Sequence, residues 1–318
     1  MSLGIESDAA LQQVLAAMED QRKNIASGQK KGYLFIAGGV AILILSFVLG
    51  FPIPGFVGIV ALGIFGGIKL SRAYSEQSIY RNQYKHDVIG AALKFLDQSL
   101  TITPNNGIGE NEFRHCQLFN TDPDRYSTED LVMGTAGKTG FYFAEVHAEY
   151  KTVERTKDGT RTEWHEIFKG IIFVADFNKN FNGVTVVRPK DFGAALGAWF
   201  SKNVFSLGGN DVVKLENTDF EKTFVTHGSD QVEARYILTP AMMERILNLN
   251  HQSKYTISLS FIGSRMYIAF PLQRNYFEAP VFKSLLNPAI IDEDITVIKF
   301  MYDIVKELDL NTRIWGKE

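Results

Sequence analysis

The sequence predicts an α+β protein: a two-helix transmembrane hairpin, followed by a helical stalk and an antiparallel-sheet-rich cytoplasmic domain. Three observations predict it: a long uncharged stretch near the N-terminus, helical spacing of apolar residues on both sides of it, and apolar-polar alternation from about residue 130 onward. The predicted divisions are an amphipathic helix over 1–32, the hairpin over 33–70, the stalk over 71–108 and the sheet-rich domain over 109–318.

The apolar block over residues 33–68 contains no charged side chain. As one straight helix it would be roughly 54 Å long, whereas the hydrocarbon core of a bilayer is about 30 Å thick. Pro52 and Pro54, flanked by Gly50 and Gly55, therefore end one helix and begin another. We expect two membrane spans. The alternative is a buried helical hairpin in a soluble core.

Basic residues flank the apolar block on both sides, and none lies within it. Because Lys and Arg accumulate on the cytoplasmic side of membrane proteins, both termini and the main domain are expected in the cytoplasm. The flanking residues are Arg22, Lys23, Lys30, Lys31, Lys69, Arg72, Arg81 and Lys85.

Small residues recur at every fourth position of the second span, at Gly63, Gly67 and Ser71. Such a face lets the backbone of another helix approach closely. We expect the first span to be that helix, and self-association of a second copy is the alternative.

Helical spacing continues on both sides of the hairpin. Apolar residues over 5–27 predict an amphipathic helix before it. The stretch from Lys69 to Ser99 has no proline and one glycine, so the second span should continue as a stalk. The segment "TPNNGIGENEF" ends the stalk and begins a short helix.

Two long strands, "TGFYFAEVHAEYKTVE" and "TRTEWHEIFKGIIFVADF", are predicted to form a hairpin that turns at Asp158-Gly159. Further strands are expected at "GVTVVRP" and "DVVKLE", with a second hairpin at "YTISLSFIGSRMYIAFPL". Helix-capping patterns begin at Thr218 and at Thr239-Pro240, and an apolar stripe from Val297 to Leu308 predicts a C-terminal helix.

Composition limits the classes of function. The net charge is -3 and the pI is about 6.1, so no basic excess indicates a nucleic-acid-binding surface. The single cysteine, Cys116, permits neither an internal disulfide nor a multi-cysteine zinc site, and we expect it to be buried and inert.

The segment "VMGTAGKTGF" contains Gly137-Lys138-Thr139, which resembles the end of a phosphate-binding loop. Val132 stands where that loop needs its first glycine, and a strand follows where the loop needs a helix N-terminus. A glycine turn between strands fits better. The segment "DFNKNFNG" has Phe181 where a calcium loop needs glycine, so we predict no cofactor or metal.

One strand carries the strongest candidate chemistry. Glu145, His147 and Glu149 alternate, so they lie on one face, where they could bind a metal or act as acid and base. The predicted turn would pair Thr152 with His165, which places His165 on the opposite face from His147. A solvated, charged sheet face is the other interpretation.

Several blocks along the chain resemble a bacterial family known only as a domain of unknown function, thirty-one thirty-seven by number. The resemblance spans residues 80–315, and its blocks include "DPDRYSTEDLVMG", "EVHAEYKT", "WHEIFKGIIFVADFNKNF", "SFIGSRMYIAFP" and "LNTRIW". It implies an inner-membrane protein with a cytoplasmic domain and a functional link to LemA-type membrane proteins. It implies no catalytic residues.

The leading hypothesis is a membrane-anchored binding or scaffold module with a protein partner. The reason is that the sequence contains a strong membrane anchor but no complete active-site signature. A membrane-tethered hydrolase or metal-dependent enzyme that uses Glu145, His147 and Glu149 is the second hypothesis. A homo-oligomeric membrane protein associating through Gly63 and Gly67 is the third.

Overall fold

The computed structural model describes residues 9–156, 159–177, 179–190 and 211–310. The helices are α1 (Ala9–Val48), α2 (Pro52–Gln83), α3 (Gly90–Leu96), α4 (Glu110–His115), α5 (Thr218–Thr223), α6 (Gln231–Ile237), α7 (Pro240–Gln252) and α8 (Pro288–Glu307), with a π-helical segment, Tyr84–Ile89, between α2 and α3. The strands are β1 (Thr101–Thr103), β2 (Arg125–Ala136), β3 (Thr139–Thr156), β4 (Gly159–Asp176), β5 (Val184–Pro189), β6 (Asp211–Val213), β7 (Phe224–Gly228), β8 (Ser258–Ile262) and β9 (Arg265–Pro271).

The predicted α+β class is confirmed: two long apolar helices come first, a helical stretch follows, and one large antiparallel sheet contains the strands. The sheet has nine strands in the order β1-β2-β3-β4-β9-β8-β5-β7-β6. The described residues belong to two compact units. The first contains residues 9–95 and 277–295, and the second contains the described residues within 96–276 and 296–310.

The two apolar helices are long and apolar enough to cross a membrane. In the most apolar 18-residue stretch of each helix, only 17% and 11%, respectively, is buried. A core helix of a soluble protein is mostly buried instead. Ser46 fixes the turn between them, since its hydroxyl donates to the Phe51 carbonyl and accepts from the Gly55 N–H. The exposure of the two apolar helices indicates membrane association.

Glycines on both helices form the contact between α1 and α2. A Cβ added at Gly66 would lie 2.8 Å from the Gly32 carbonyl oxygen, and one added at Gly39 would lie 3.1 Å from the Ile59 Cα. At Gly63 and Gly67, by contrast, an added Cβ would have no atom of α1 within 4 Å. The expectation that α1 packs on the face of Gly63, Gly67 and Ser71 is therefore wrong, because that face is not the one turned towards α1.

The first unit also contains a network of polar contacts with the segment 277–295. Glu19 accepts a hydrogen bond from the Leu285 N–H at 2.9 Å, and its carboxylate pairs with Arg22 at 2.8 Å. Arg22 donates in turn to the Val281 carbonyl at 2.6 Å. From the π-helical segment, Lys85 pairs with Glu278 at 3.0 Å. These contacts hold the segment 277–295 against α1 and the π-helical segment.

In the second unit, β3 is buried on both faces over residues 143–146, where its residues are at most 6% exposed. One face packs against α4 and the residues that follow it. On the other face, the neighbouring Phe141 packs against Phe173 and against Tyr302 of α8. The first face contributes Ala144, Val146 and Ala148 to a core whose other members are Ile108, Phe113, Cys116, Leu118, Leu131, Ile167, Phe168, Ile172, Val174, Ile262, Tyr267 and Ala269.

Adjacent glycines of α2 provide a matched test of the hairpin. We expect Gly66→Leu to weaken the α1–α2 contact by about 1–3 kcal/mol, because the new side chain enters an occupied space. Gly67→Leu should leave the contact as in the wild type. Hydrogen exchange by mass spectrometry on α1, in the full chain in micelles, measures the difference. Equal exchange in the two variants would contradict this packing.

The Glu19 contact predicts a dependence of stability on pH. The hydrogen bonds from Arg22, together with the one from Leu285, lower the pKa of Glu19 from 4.5 to about 2. A lowered pKa contributes stability that is present above pH 4.5 and is lost as the pH falls from 4.5 to about 2. We expect Glu19→Gln to lower the free energy of unfolding by about 1–3 kcal/mol at neutral pH, and by less in acid.

Thermal unfolding of the full chain in micelles, followed by circular dichroism at several pH values, measures this effect. The control is Asp20→Asn at the next position, where the carboxylate is 79% exposed and pairs with Lys23 at 3.6 Å, so its loss should cost little. A difference between wild type and Glu19→Gln that stays constant down to pH 2 would refute the role of this carboxylate.

Candidate functional site

The site begins at an irregularity in the pairing of β2 with β3. Glu129 lies opposite Glu145, but the next pair is Val132 with Phe143, so two residues of β2 face one residue of β3. This is a β-bulge, which redirects side chains and is common next to functional sites. It allows the consecutive acidic residues Glu129 and Asp130 to approach Glu145.

Asp130 adopts a left-handed backbone conformation, with φ of 60°. Aspartate is one of the few residue types besides glycine that adopt this conformation readily, because its short polar side chain can form local hydrogen bonds. Here the loop after β1 enforces it, because the N–H of Asp130 donates to the Pro104 carbonyl and that of Leu131 to the Asn106 carbonyl, both at 3.0 Å. Asp130 is fully buried.

The loop after β9 covers this acidic cluster. The Tyr276 N–H donates a hydrogen bond to the Glu145 carboxylate, which is only 6% exposed. The Asn275 amide donates to Glu129 Oε1 at 2.9 Å. A buried carboxylate is tolerated when such bonds satisfy it, so these two donors help to keep the cluster in the interior.

The cluster has the geometry of a possible cation site. A carboxylate oxygen from each of Glu129, Asp130 and Glu145 lies within 4.8 Å of the others. Oxygen atoms that coordinate one Ca²⁺ ion lie about 2.3–2.6 Å from it, and therefore up to about 5 Å from one another. The three side chains fit this requirement.

A cavity of about 490 Å³ opens beside the cluster. Its lining combines acidic, basic and neutral polar side chains, so it offers partners for both charges on one ligand. The lining residues are Pro104, Asn105, Ser127, Thr128, Glu129, Glu145, Val146, His147, Lys169, Gly170, Arg274 and Asn275.

Two of the four residues singled out from the sequence line this cavity, namely Glu145 and His147. Glu149 pairs with Arg125 at 2.9 Å instead. His165 lies on the other face of the sheet, where it stacks on Tyr150 and shares a 2.8 Å hydrogen bond with the Thr152 hydroxyl. The structure therefore brings together neither the two histidines nor the full predicted set.

The predicted register of the β3–β4 hairpin is wrong. Thr156 pairs with Gly159, and His165 pairs with Tyr150 rather than with Thr152. Asp158 of the predicted turn lies outside the described residues. The hairpin rule favours a turn at Asp-Gly, but Gly159, with φ of 137°, is the first residue of β4. The face of His165 is unchanged, because the register moves by two residues.

Sequence reasoning missed Glu129, Asp130, Arg274 and Asn275. A signal for the first two was present, since consecutive acidic residues interrupt the alternation in "YSTEDLVMG", as a bulge does. Arg274 and Asn275 follow β9 and carried no local signal, because only the fold brings their loop to β2 and β3.

Two other candidate sites have structural roles. Gly137 and Lys138 form a tight turn between β2 and β3, with Gly137 at φ of 65° and Ala136 paired with Thr139. Gly134 and Gly140 lie within the strands rather than in the turn. Cys116 is buried, and burial raises the pKa of its thiol to about 12, which suppresses the reactive thiolate. The "DFNKNFNG" segment includes Asn178, which lies outside the described residues.

Comparison with protein families identifies one part of the chain. Residues 166–310 match the family DUF3137, described as a protein of unknown function. The resemblance read from the sequence is thereby confirmed over these residues. The DUF3137 match includes Lys169, Arg274 and Asn275 of the cavity, whereas the acidic cluster precedes it.

A search of curated proteins finds no match. Among solved structures, the chain is similar to the crystal structure of the mycobacterial trehalose monomycolate transport factor A, TtfA, at 9% sequence identity and a TM-score of 0.36. The alignment covers 71% of this chain and 94% of that one. At that score, we infer neither fold nor function from the similarity.

Proposed function

We propose that this chain is a membrane-anchored binding module of a bacterial inner membrane. Residues 33–70 hold it in the bilayer, and the sheet-rich unit binds a protein partner in the cytoplasm. The exposed apolar helices and the basic residues at both of their outer ends support this arrangement. The family resemblance suggests a LemA-type membrane protein as the partner.

The observation that carries the proposal is the charge pattern of the cavity. Glu129 and Glu145 supply negative charge, and Lys169 and Arg274 supply positive charge around the same space of about 490 Å³. A ligand that presents both charges would be matched, and fixed polar groups of this kind give specificity more than affinity. A short segment of the partner with a Lys or Arg beside an acidic residue has this chemistry.

An array of short peptides tests this recognition with the full-length protein in nanodiscs. We expect the wild type to select peptides in which a basic residue adjoins an acidic one. E129Q/E145Q should bind them about thirtyfold or more weakly, because removing one member of a buried charge pair costs about 2–5 kcal/mol. Gln keeps the hydrogen-bond acceptors for Asn275 and Tyr276, so the fold should persist.

The matched control is E216Q/E244Q, which removes two negative charges at exposed positions and should select the same peptides as the wild type. Two results would count against the cavity as the binding site. One is that the wild type binds peptides regardless of their basic residues, and the other is that E129Q/E145Q and the wild type select the same peptides.

A metal-dependent reaction, such as hydrolysis at the membrane, is the second candidate. The approach of Glu129, Asp130 and Glu145 within 4.8 Å favours it. The ligand set would then differ from the one read from the sequence, with Glu129 and Asp130 in place of Glu149, while His147 lines the adjoining cavity as a candidate base.

Thermal unfolding in MgCl₂, MnCl₂ or CaCl₂ distinguishes this candidate from the first. A metal site predicts a higher unfolding temperature of the wild type with one of these salts, and loss of that increase in Glu145→Gln. Glu149→Gln is the control, and it should keep the increase. No difference between wild type and Glu145→Gln in any of the salts would eliminate the metal-dependent candidate.

A further inference from the structure

Four basic side chains lie at one level of the α1–α2 pair, namely Lys30, Lys31, Lys69 and Arg72. Two contacts between α1 and α2, one on each side of these residues, show that they lie at the same height along the helix pair. The Gln29 amide donates to Gln77 at 2.7 Å, and a Cβ added at Gly32 would lie 2.6 Å from the Leu70 side chain. Lys30 and Lys31 of α1 therefore lie beside the turns of α2 that carry Lys69 and Arg72. We call these four residues the basic girdle.

Acidic groups are missing from this level. The sequence has no Asp or Glu between Asp20 and Glu76, and all four girdle side chains are exposed. By contrast, the neighbouring cations Arg22 and Lys23 pair with Glu19 and Asp20. Within the described part of the chain, no ion pair involves a residue of the girdle. Clustered cations repel one another, so a partner that supplies negative charge would relieve an unfavourable interaction.

The girdle lies where the apolar surface begins. Tyr33 and Tyr74 share a 2.8 Å hydrogen bond between their hydroxyl groups across α1 and α2 at the same level. Beyond Tyr33, the exposed residues of α1 are apolar, as with Leu34 at 72% exposure. Tyrosine rings prefer the headgroup region of a bilayer, so the girdle is at the depth of the lipid phosphates.

We propose that the basic girdle binds the headgroup phosphates of anionic phospholipids. The girdle consists of four exposed side chains spread over two helices, so a lipid surface, which offers many phosphates, fits it better than a single small soluble anion does. Each Lys or Arg near an anionic membrane surface contributes about a fivefold preference. The inference rests on the membrane anchoring proposed above, but it is independent of the cavity in the sheet-rich unit.

Electron spin resonance of spin-labelled lipids tests this with the full-length protein reconstituted in phosphatidylcholine. We expect labelled phosphatidylglycerol to be selected over labelled phosphatidylcholine at the protein surface by about fivefold or more, since fivefold is the contribution of a single cation. The selection should decline towards none in K30Q/K31Q/K69Q/R72Q and at high salt. K30R/K31R/K69R, which keeps the charge, should retain it.

The matched control removes four exposed cations elsewhere, in K138Q/R161Q/K214Q/K254Q, and should select phosphatidylglycerol as the wild type does. A selection equal in the girdle variant and the wild type would overturn the lipid proposal while leaving the anchoring intact. Failure of the wild type to insert in any bilayer, seen as no motionally restricted lipid of either kind, would overturn the anchoring and the lipid proposal together.

Discussion

The hydrogen bond from the Tyr276 N–H to the Glu145 carboxylate is the interaction on which the candidate site depends. Glu145 lies in a strand paired on both sides, with Ala144 and Val146 buried beside it. A carboxylate there is costly without donors, so the loop after β9 must cover this point of the sheet. That loop also brings Asn275 to Glu129 and Arg274 to the cavity.

The bulge at Asp130 is the second constraint, and it acts on the same carboxylates. Regular pairing would place Glu129 and Asp130 on opposite faces of β2, with one of them turned away from Glu145. The left-handed residue brings both to one place, at the cost of a conformation that glycine would adopt more readily.

The sequence predicted the elements well and the local geometry less well. Spacing along the chain is enough to predict α1 and α2 from the uncharged block with its prolines at 52 and 54, and β3 and β4 from their alternation. All four elements are present. Which face of α2 meets α1 depends on how the two helices pack. The spacing of small residues alone could therefore not show that Gly66, and not Gly67, lies at the contact. The bulge residues that meet Glu145 do interrupt the alternation of β2, but Tyr276 belongs to a loop more than 120 residues away, which no periodicity reports.

The central claim is that the cavity beside Glu129 and Glu145 binds a ligand. Its most direct test is carboxyl labelling with a carbodiimide, read by mass spectrometry. Glu129 and Glu149 are both half-buried, but only Glu129 lines the cavity. Labelling of Glu129 should be low in native membranes and should rise after purification removes the ligand, while labelling of Glu149 stays constant. Equal labelling of Glu129 in native membranes and in the purified protein would contradict the account.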